Sequence, residues 1–170
     1  MVDVRIGPAT IRDVSYILAN LDPADAEEIG CQVPEGAMPG ELAAGCVRFG
    51  SSFVAYLNGV PAMAFGSSPL TAVGNVRSAW AFGTRRSRVC MRSVMRFCRD
   101  EFVPSFLSFG VTRVEARSIS THAVAHRWLE AVGAEREATI AAYGKNGEDF
   151  VLYVWRPGPQ AAARLANYCR

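Results

Sequence analysis

Trp80-Ala81-Phe82-Gly83-Thr84-Arg85-Arg86-Ser87-Arg88 runs directly into Val89-Cys90-Met91-Arg92-Ser93-Val94-Met95-Arg96-Phe97. An apolar strand delivers a Gly-Thr turn, and a run of arginines then opens a helix. Backbone N–H groups at a helix start, reinforced by guanidinium groups, form an anion site of the kind phosphorylated cofactors use. Taken alone, the stretch reads more simply as a strand-to-helix connection with solvated arginines, so the flanking chain has to decide.

Outward from this stretch, composition sets the bounds. At 170 residues the chain is long enough for one domain with a sizeable core. Half the residues are apolar and a fifth are charged, a globular balance and not a disordered or fibrous one. No apolar run approaches bilayer-crossing length, and Asp3 and Arg5 interrupt the N-terminus where a signal peptide needs an apolar stretch. The expectation is a soluble, cytoplasmic protein without a membrane partner. A formal net charge of +2 does not point to nucleic acid. Arg88, Arg92, Arg96 and Arg99 do form a stripe, but without interleaved exposed aromatics it reads as a solvated face. Cys31, Cys46, Cys90, Cys98 and Cys169 are odd in number and lack C-x-x-C spacing, which argues against a disulfide framework and a structural zinc site. A reducing compartment follows, with Cys90 and Cys98 as small core residues of a helix.

Along the chain, Val2–Ile6 alternates like a first strand, and Gly7-Pro8-Ala9-Thr10 breaks it. Thr10 is a candidate N-cap for a helix through Ile11, Val14, Ile17, Leu18 and Leu21. Asp22-Pro23 ends that helix and starts a short acidic one, Ala24–Ile29; residues 30–40 read as a loop and Glu41–Cys46 as a further short helix. Ser52–Leu57 and Val60–Phe65 around Asn58-Gly59 give the clearest local signal, a hairpin whose turn needs positive φ. A third strand covers roughly Asn75–Phe82. The helix Ser87–Phe102 places Val94, Phe97, Cys98 and Phe102 on one face, and Pro104 ends or kinks it. Val111–Ala116 reads as a strand, Thr121–Val132 as a helix closed by Gly133, and Ala138–Tyr143 with Phe150–Trp155 as a last hairpin. No linker or repeat divides residues 1–156, which are expected to form one domain; the tail 157–170 receives no structure. Hairpins clustered among helices predict an α+β, mixed sheet.

With these elements placed, the chain resembles the GNAT acyltransferase superfamily over Val2–Trp155. The opening Arg5-Ile6-Gly7-Pro8-Ala9-Thr10-Ile11-Arg12-Asp13-Val14 is similar to the family's first strand and helix, and the Asn58-Gly59 hairpin to its second and third strands. Most specific is His122-Ala123-Val124-Ala125-His126-Arg127-Trp128-Leu129-Glu130-Ala131-Val132-Gly133-Ala134, which resembles the family's Asn-Ala-aromatic-Gly-Phe pattern before the penultimate strand. In overall texture the chain also resembles the small GNAT-like proteins of T7-like podophages.

That resemblance implies a central, mostly antiparallel sheet of six to seven strands, splayed between the fourth and fifth and flanked by about four helices. It implies acetyl-coenzyme A as cofactor, with Ala81, Phe82 and Gly83 offering backbone groups to the pantetheine arm and Gly83, Thr84, Arg85, Arg86, Ser87 and Arg88 holding the pyrophosphate. His122 stands at the family's Asn position. The implied activity is acetyl transfer to an amine of a small molecule or protein. The departures are specific: Arg88 and Cys90 stand where the family's loop has glycines, and Leu129 replaces the Tyr that protonates the departing thiolate. Catalytic residues stay unassigned, with Glu115, Ser120 and His122 as weak candidates; the plainer readings are a solvated strand residue for Glu115 and N-cap residues for Ser118, Ser120 and Thr121. His122, His126 and Glu130 share a helical face, but no third ligand declares itself and no metal is expected. These departures favour, as alternative, a catalytically weak or inactive GNAT-fold phage protein that binds a host protein or forms part of a virion, located in host cytoplasm. Phe97, Phe102, Phe106 and Phe109 read as core or as a packing surface, which admits a homodimer. The acceptor is expected to meet the acidic stretch 22–49, where Glu27, Glu28, Glu35 and Glu41 would attract a cation.

Overall fold

The computed structural model describes residues 3–71, 75–108 and 110–156. Val2, Phe109 and the tail 157–170 with Cys169 lie outside them. Strands are β1 (Val4–Pro8), β2 (Ser51–Leu57), β3 (Val60–Pro69), β4 (Val76–Gly83), β5 (Arg113–Ile119), β6 (Glu135–Ile140) and β7 (Phe150–Trp155). Helices are α1 (Ile11–Leu18), α2 (Pro23–Gly30), α3 (Pro39–Arg48), α4 (Ser87–Phe97), α5 (Val103–Ser108) and α6 (Ala123–Ala131). The sheet is seven-stranded in the order β1-β2-β3-β4-β5-β7-β6, with β4 and β5 parallel. This is the mixed α+β fold expected, with more helices than the four anticipated. The described residues fall into two compact units, one of those within 3–68 and 79–94 and the other of those within 69–78 and 95–156.

In the first unit, Thr10 caps α1 by accepting from the Asp13 N–H (3.2 Å), and Asp22 caps α2 by accepting from the Ala24 N–H (3.2 Å). Asn58 and Gly59, at φ +50° and +77°, make the β2–β3 turn that their sequence demands. Val14 and Ile17 of α1, Ala43 of α3, Val54 of β2, Ala64 of β3 and Phe82 of β4 form the core, and burying each large aliphatic side chain contributes about 1.5–3 kcal/mol. Two expectations are corrected here. β1 continues through Gly7 and Pro8 because it is an edge strand, where a missing N–H costs no ladder bond. The first helix stops at Leu18, and Leu21 instead bridges to Thr84.

In the second unit, the parallel ladder pairs Val76, Arg77 and Ser78 with Arg113, Val114 and Glu115. β7 lies between β5 and β6, antiparallel to both, and its Phe150, Val151, Tyr153, Val154 and Trp155 are buried. The helix expected to run from Ser87 to Phe102 changes character: α4 ends at Phe97, and a π-helical turn, Cys98–Phe102, leads into α5. The Val103 N–H donates to the Cys98 carbonyl, and Pro104 enters at the second position of the new helix, where its missing N–H is tolerated. Burial pushes the Cys98 thiol up to about 12, as its place in the core requires. The N-cap of α6 is His122, without a side-chain cap bond, and not Ser118, Ser120 or Thr121.

Candidate functional site

β4 of the first unit ends in a corner that its own sequence makes tight. A Cβ on Gly83 would stand 2.5 Å from the Ser87 Cβ and 3.0 Å from the Ala62 carbonyl, so only glycine lets the strand pass this close to the start of α4. Thr84 then locks the turn: its N–H donates to the Ala62 carbonyl (2.8 Å), and its hydroxyl accepts from the Arg86 N–H (3.2 Å). The Ser87 N–H closes on the Thr84 carbonyl (2.9 Å). Phe82 is buried and stacks on Trp80 with ring centroids 5.4 Å apart, while Ala81 and Ser87 are half-buried. Arg85, Arg86 and Arg88 are exposed.

The first turn of α2 docks on the same corner. The Asp22 N–H donates to the Gly83 carbonyl (2.8 Å), and the Gly83 N–H donates to Asp25 Oδ2 (2.6 Å). Arg88 reaches Asp22 Oδ2 at 3.5 Å, a loose pair with its guanidinium largely in solvent. An open groove of about 450 Å³ is left, lined by Asp22, Pro23, Ala24, Arg85 and Arg88. The Asp-Pro-Ala-Asp helix start is visible in sequence, but nothing local signals its contact with Gly83.

The corner can offer an anion its arginine side chains. The N–H groups of Gly83, Arg86 and Ser87 are already bonded within the protein. Guanidinium side chains, not a ring of free amides, are the donors offered to an anion, and their planar forks suit phosphate oxygens. Arg88 lines the groove, while Cys90, the other position where the resemblance expects glycine, is fully buried and takes no part in it.

The remaining candidates lie in the second unit. Glu115 is buried, not solvated as its plainer sequence reading had it: Oε1 accepts from Arg113 Nε and Oε2 from Arg117, each at 2.6 Å. Arg113 also pairs with Glu137, and Glu137 with Arg156. This ladder holds the Arg113 guanidinium firmly protonated, chiefly through its Glu137 bond, and Glu137 below the usual carboxylate range through its bond to Arg113. Alternation at 113, 115 and 117 is its sequence signal, since every second strand residue shares a face. Ser120 is exposed, its N–H donating to the Asp149 carbonyl (2.9 Å). His122 is half-buried. His126 does not share a ligand set with it: Nε2 lies 3.0 Å from the Ile119 carbonyl, and Glu130 accepts from the Tyr153 hydroxyl (3.3 Å). Leu129 is buried. Among the described residues, no group of three or more His, Cys, Asp or Glu is placed to hold a metal ion, and no helix is long and apolar enough to cross a membrane.

No protein-family model and no curated protein matches the sequence. Solved structures do. The chain is similar to yncA of Salmonella typhimurium, described as an acetyltransferase and determined with its cofactor acetyl-CoA: TM-score 0.72, 15% identity, 92% of this chain and 95% of that one. AAC(6')-Ib in complex with ribostamycin and coenzyme A matches with TM-score 0.68 and 19% identity over 95% of this chain and 97% of its own. A protein of Desulfovibrio desulfuricans, described as an acetyltransferase of the GNAT family, matches with TM-score 0.62 and 18% identity over 92% and 99%. At these identities the likeness establishes the fold: it is that of the GNAT acetyltransferases.

Proposed function

We propose that this chain is an acetyl-coenzyme A-dependent N-acyltransferase that moves an acetyl group to an amine of a small molecule or protein. The carrying observation is the likeness, over more than nine-tenths of the chain, to proteins determined with acetyl-CoA or coenzyme A. The arginine-lined groove at the β4–α4 corner supports it. The bound cofactor supplies an activated thioester. Arg85, Arg86 and Arg88 would grip its phosphates, and the β4 backbone at Ala81 and Phe82 would steady the pantetheine arm. Glu115 is not the base, because both of its oxygens are held by arginines. The buried Leu129 has nothing to donate to a departing thiolate, so the proton exchange at the acceptor amine and at the leaving sulfur would fall to solvent. Calorimetry with acetyl-CoA tests the reading: saturable heat is expected, and silence at millimolar ligand removes it.

A second reading keeps the fold without turnover: a GNAT-fold phage protein that acts by binding a host protein or as a virion component. Leu129, the engaged Glu115 and the occupied Gly83 N–H favour it. Acetyl-CoA-dependent thiol release with an amine panel separates the two; release that disappears in Arg85→Ala sinks this alternative.

A further inference from the structure

From Leu42 to Arg99 the sequence holds no acidic residue, so neither β4 nor α4 carries one. Any carboxylate at the β4–α4 corner must come from another element, and the start of α2, in the same unit, brings two. Asp22 stands in the groove wall with Arg85 and Arg88 and meets the Arg88 guanidinium at 3.5 Å. Asp25 takes the Gly83 N–H at 2.6 Å. The first hold is weak, because the Arg88 side chain keeps 78% of its exposure; the second is a short bond to a charged acceptor. Asp22 also caps α2 through the Ala24 N–H, but an asparagine caps a helix equally well, so the cap does not need the charge. α2 has no buried residue, and Ile29, at its far end, packs against the core. Its first turn is therefore seated by polar contacts: the two carboxylates, the Asp22 N–H on the Gly83 carbonyl and the Leu21–Thr84 bridge beside it. A phosphate from outside can contest such a seat, since it offers the same kind of oxygen with more charge.

We propose that Asp22 and Asp25 are a tethered anion: they hold the donors of the empty corner and yield them to the phosphates of an incoming ligand, so that binding frees the first turn of α2. The inference rests on the reading of this corner as a phosphate site and gives that site its regulation. It accounts for a carboxylate in the wall of an arginine-lined groove, a placement that repels a phosphate unless the carboxylate gives way. The device also sets a threshold. A ligand has to displace two carboxylates already in place, which a diphosphate with several charged oxygens does and a singly charged anion does not.

The probes are inorganic diphosphate and acetyl-CoA, titrated by calorimetry into wild type, Asp22→Asn, Asp25→Asn and Glu27→Gln. Glu27 is exposed on the same helix and does not line the groove, so its change removes an equal charge as a control. Asp22→Asn should bind diphosphate about twofold to fivefold more tightly and Asp25→Asn roughly tenfold, while Glu27→Gln stays within about twofold. In wild type, hydrogen exchange at the amides of residues 24–28 should quicken when diphosphate is bound, which a purely structural docking of α2 would not show. Equal gains in Asp22→Asn and Glu27→Gln would reduce the effect to general repulsion and overturn the proposal. Weaker binding by both aspartate variants, or α2 amides that slow on binding, would overturn it too. None of these results touches the heat of acetyl-CoA in wild type, so the cofactor reading survives them. Diphosphate gains with acetyl-CoA silent would remove the cofactor reading and keep the tethered anion, and silence of both probes in every variant removes both.

Discussion

The two units treat charge in opposite ways. In the second, Arg117, Glu115, Arg113, Glu137 and Arg156 alternate in sign and satisfy one another along one face of the β5–β7 region. In the first, Arg85, Arg86 and Arg92 stand exposed, and Arg88 has only a loose hold on Asp22. Arginines locked by carboxylates on both sides hold strands together, whereas arginines left in solvent remain available to an anion from outside. The difference makes the ladder a matter of stability and leaves the β4–α4 corner as the proposed binding site.

The largest effect should follow from breaking the ladder at its most buried carboxylate. Glu115→Ala leaves Arg113 and Arg117 facing each other across an empty site. Removing one partner of a fully buried pair costs about 3–5 kcal/mol. Here the two arginine side chains retain 25% and 20% exposure, so about 2–3 kcal/mol is expected. Urea denaturation should show that loss and calorimetry an unchanged affinity for acetyl-CoA. A loss below about 0.5 kcal/mol, the range of an ordinary surface substitution, would erase the contrast between the units.

Arg85→Ala should behave in the opposite sense. A charge-assisted bond to a phosphate is worth about 1.5–3 kcal/mol, so acetyl-CoA affinity should fall roughly tenfold or more, while stability stays within about 0.5 kcal/mol. Unfolding with full ligand affinity would place Arg85 with the ladder residues instead.

How much of this was legible follows from the range of each interaction. The Asn58-Gly59 hairpin, the Thr10 cap and the inward Cys90 and Val94 are decided within a few residues, and periodicity alone finds them. A change of helix at Pro104 was legible from the proline itself, but not the π turn, Cys98–Phe102, that hands the chain to a new helix. The exposed arginine loop was legible because its charges are consecutive. Asp25 was not, since its bond to Gly83 spans 58 positions. Glu115 was misjudged for a related reason: flanking arginines at i±2 look like a solvated strand until Glu137, distant in sequence, closes the ladder.

The finest test of the contrast is pH. Glu137 sits at the exposed end of the ladder, and its bond to Arg113 holds its carboxyl below the usual value of 4.5. A carboxylate whose folded value is depressed adds stability at pH above its unfolded value and loses it as pH falls through the folded one. Wild type should therefore lose melting temperature more steeply than Glu137→Gln on acidification below about pH 4.5. The gap should shrink in high salt, because this carboxylate is open to solvent and its attraction to Arg113 and Arg156 is screened there. Titrating Arg85→Ala alongside should give a curve parallel to wild type, since no carboxylate depends on that arginine. Parallel curves for wild type and Glu137→Gln would mean that the ladder's outer end is as idle as the arginines of α4, and the division between holding and binding charges would have to be drawn further inside, at Glu115.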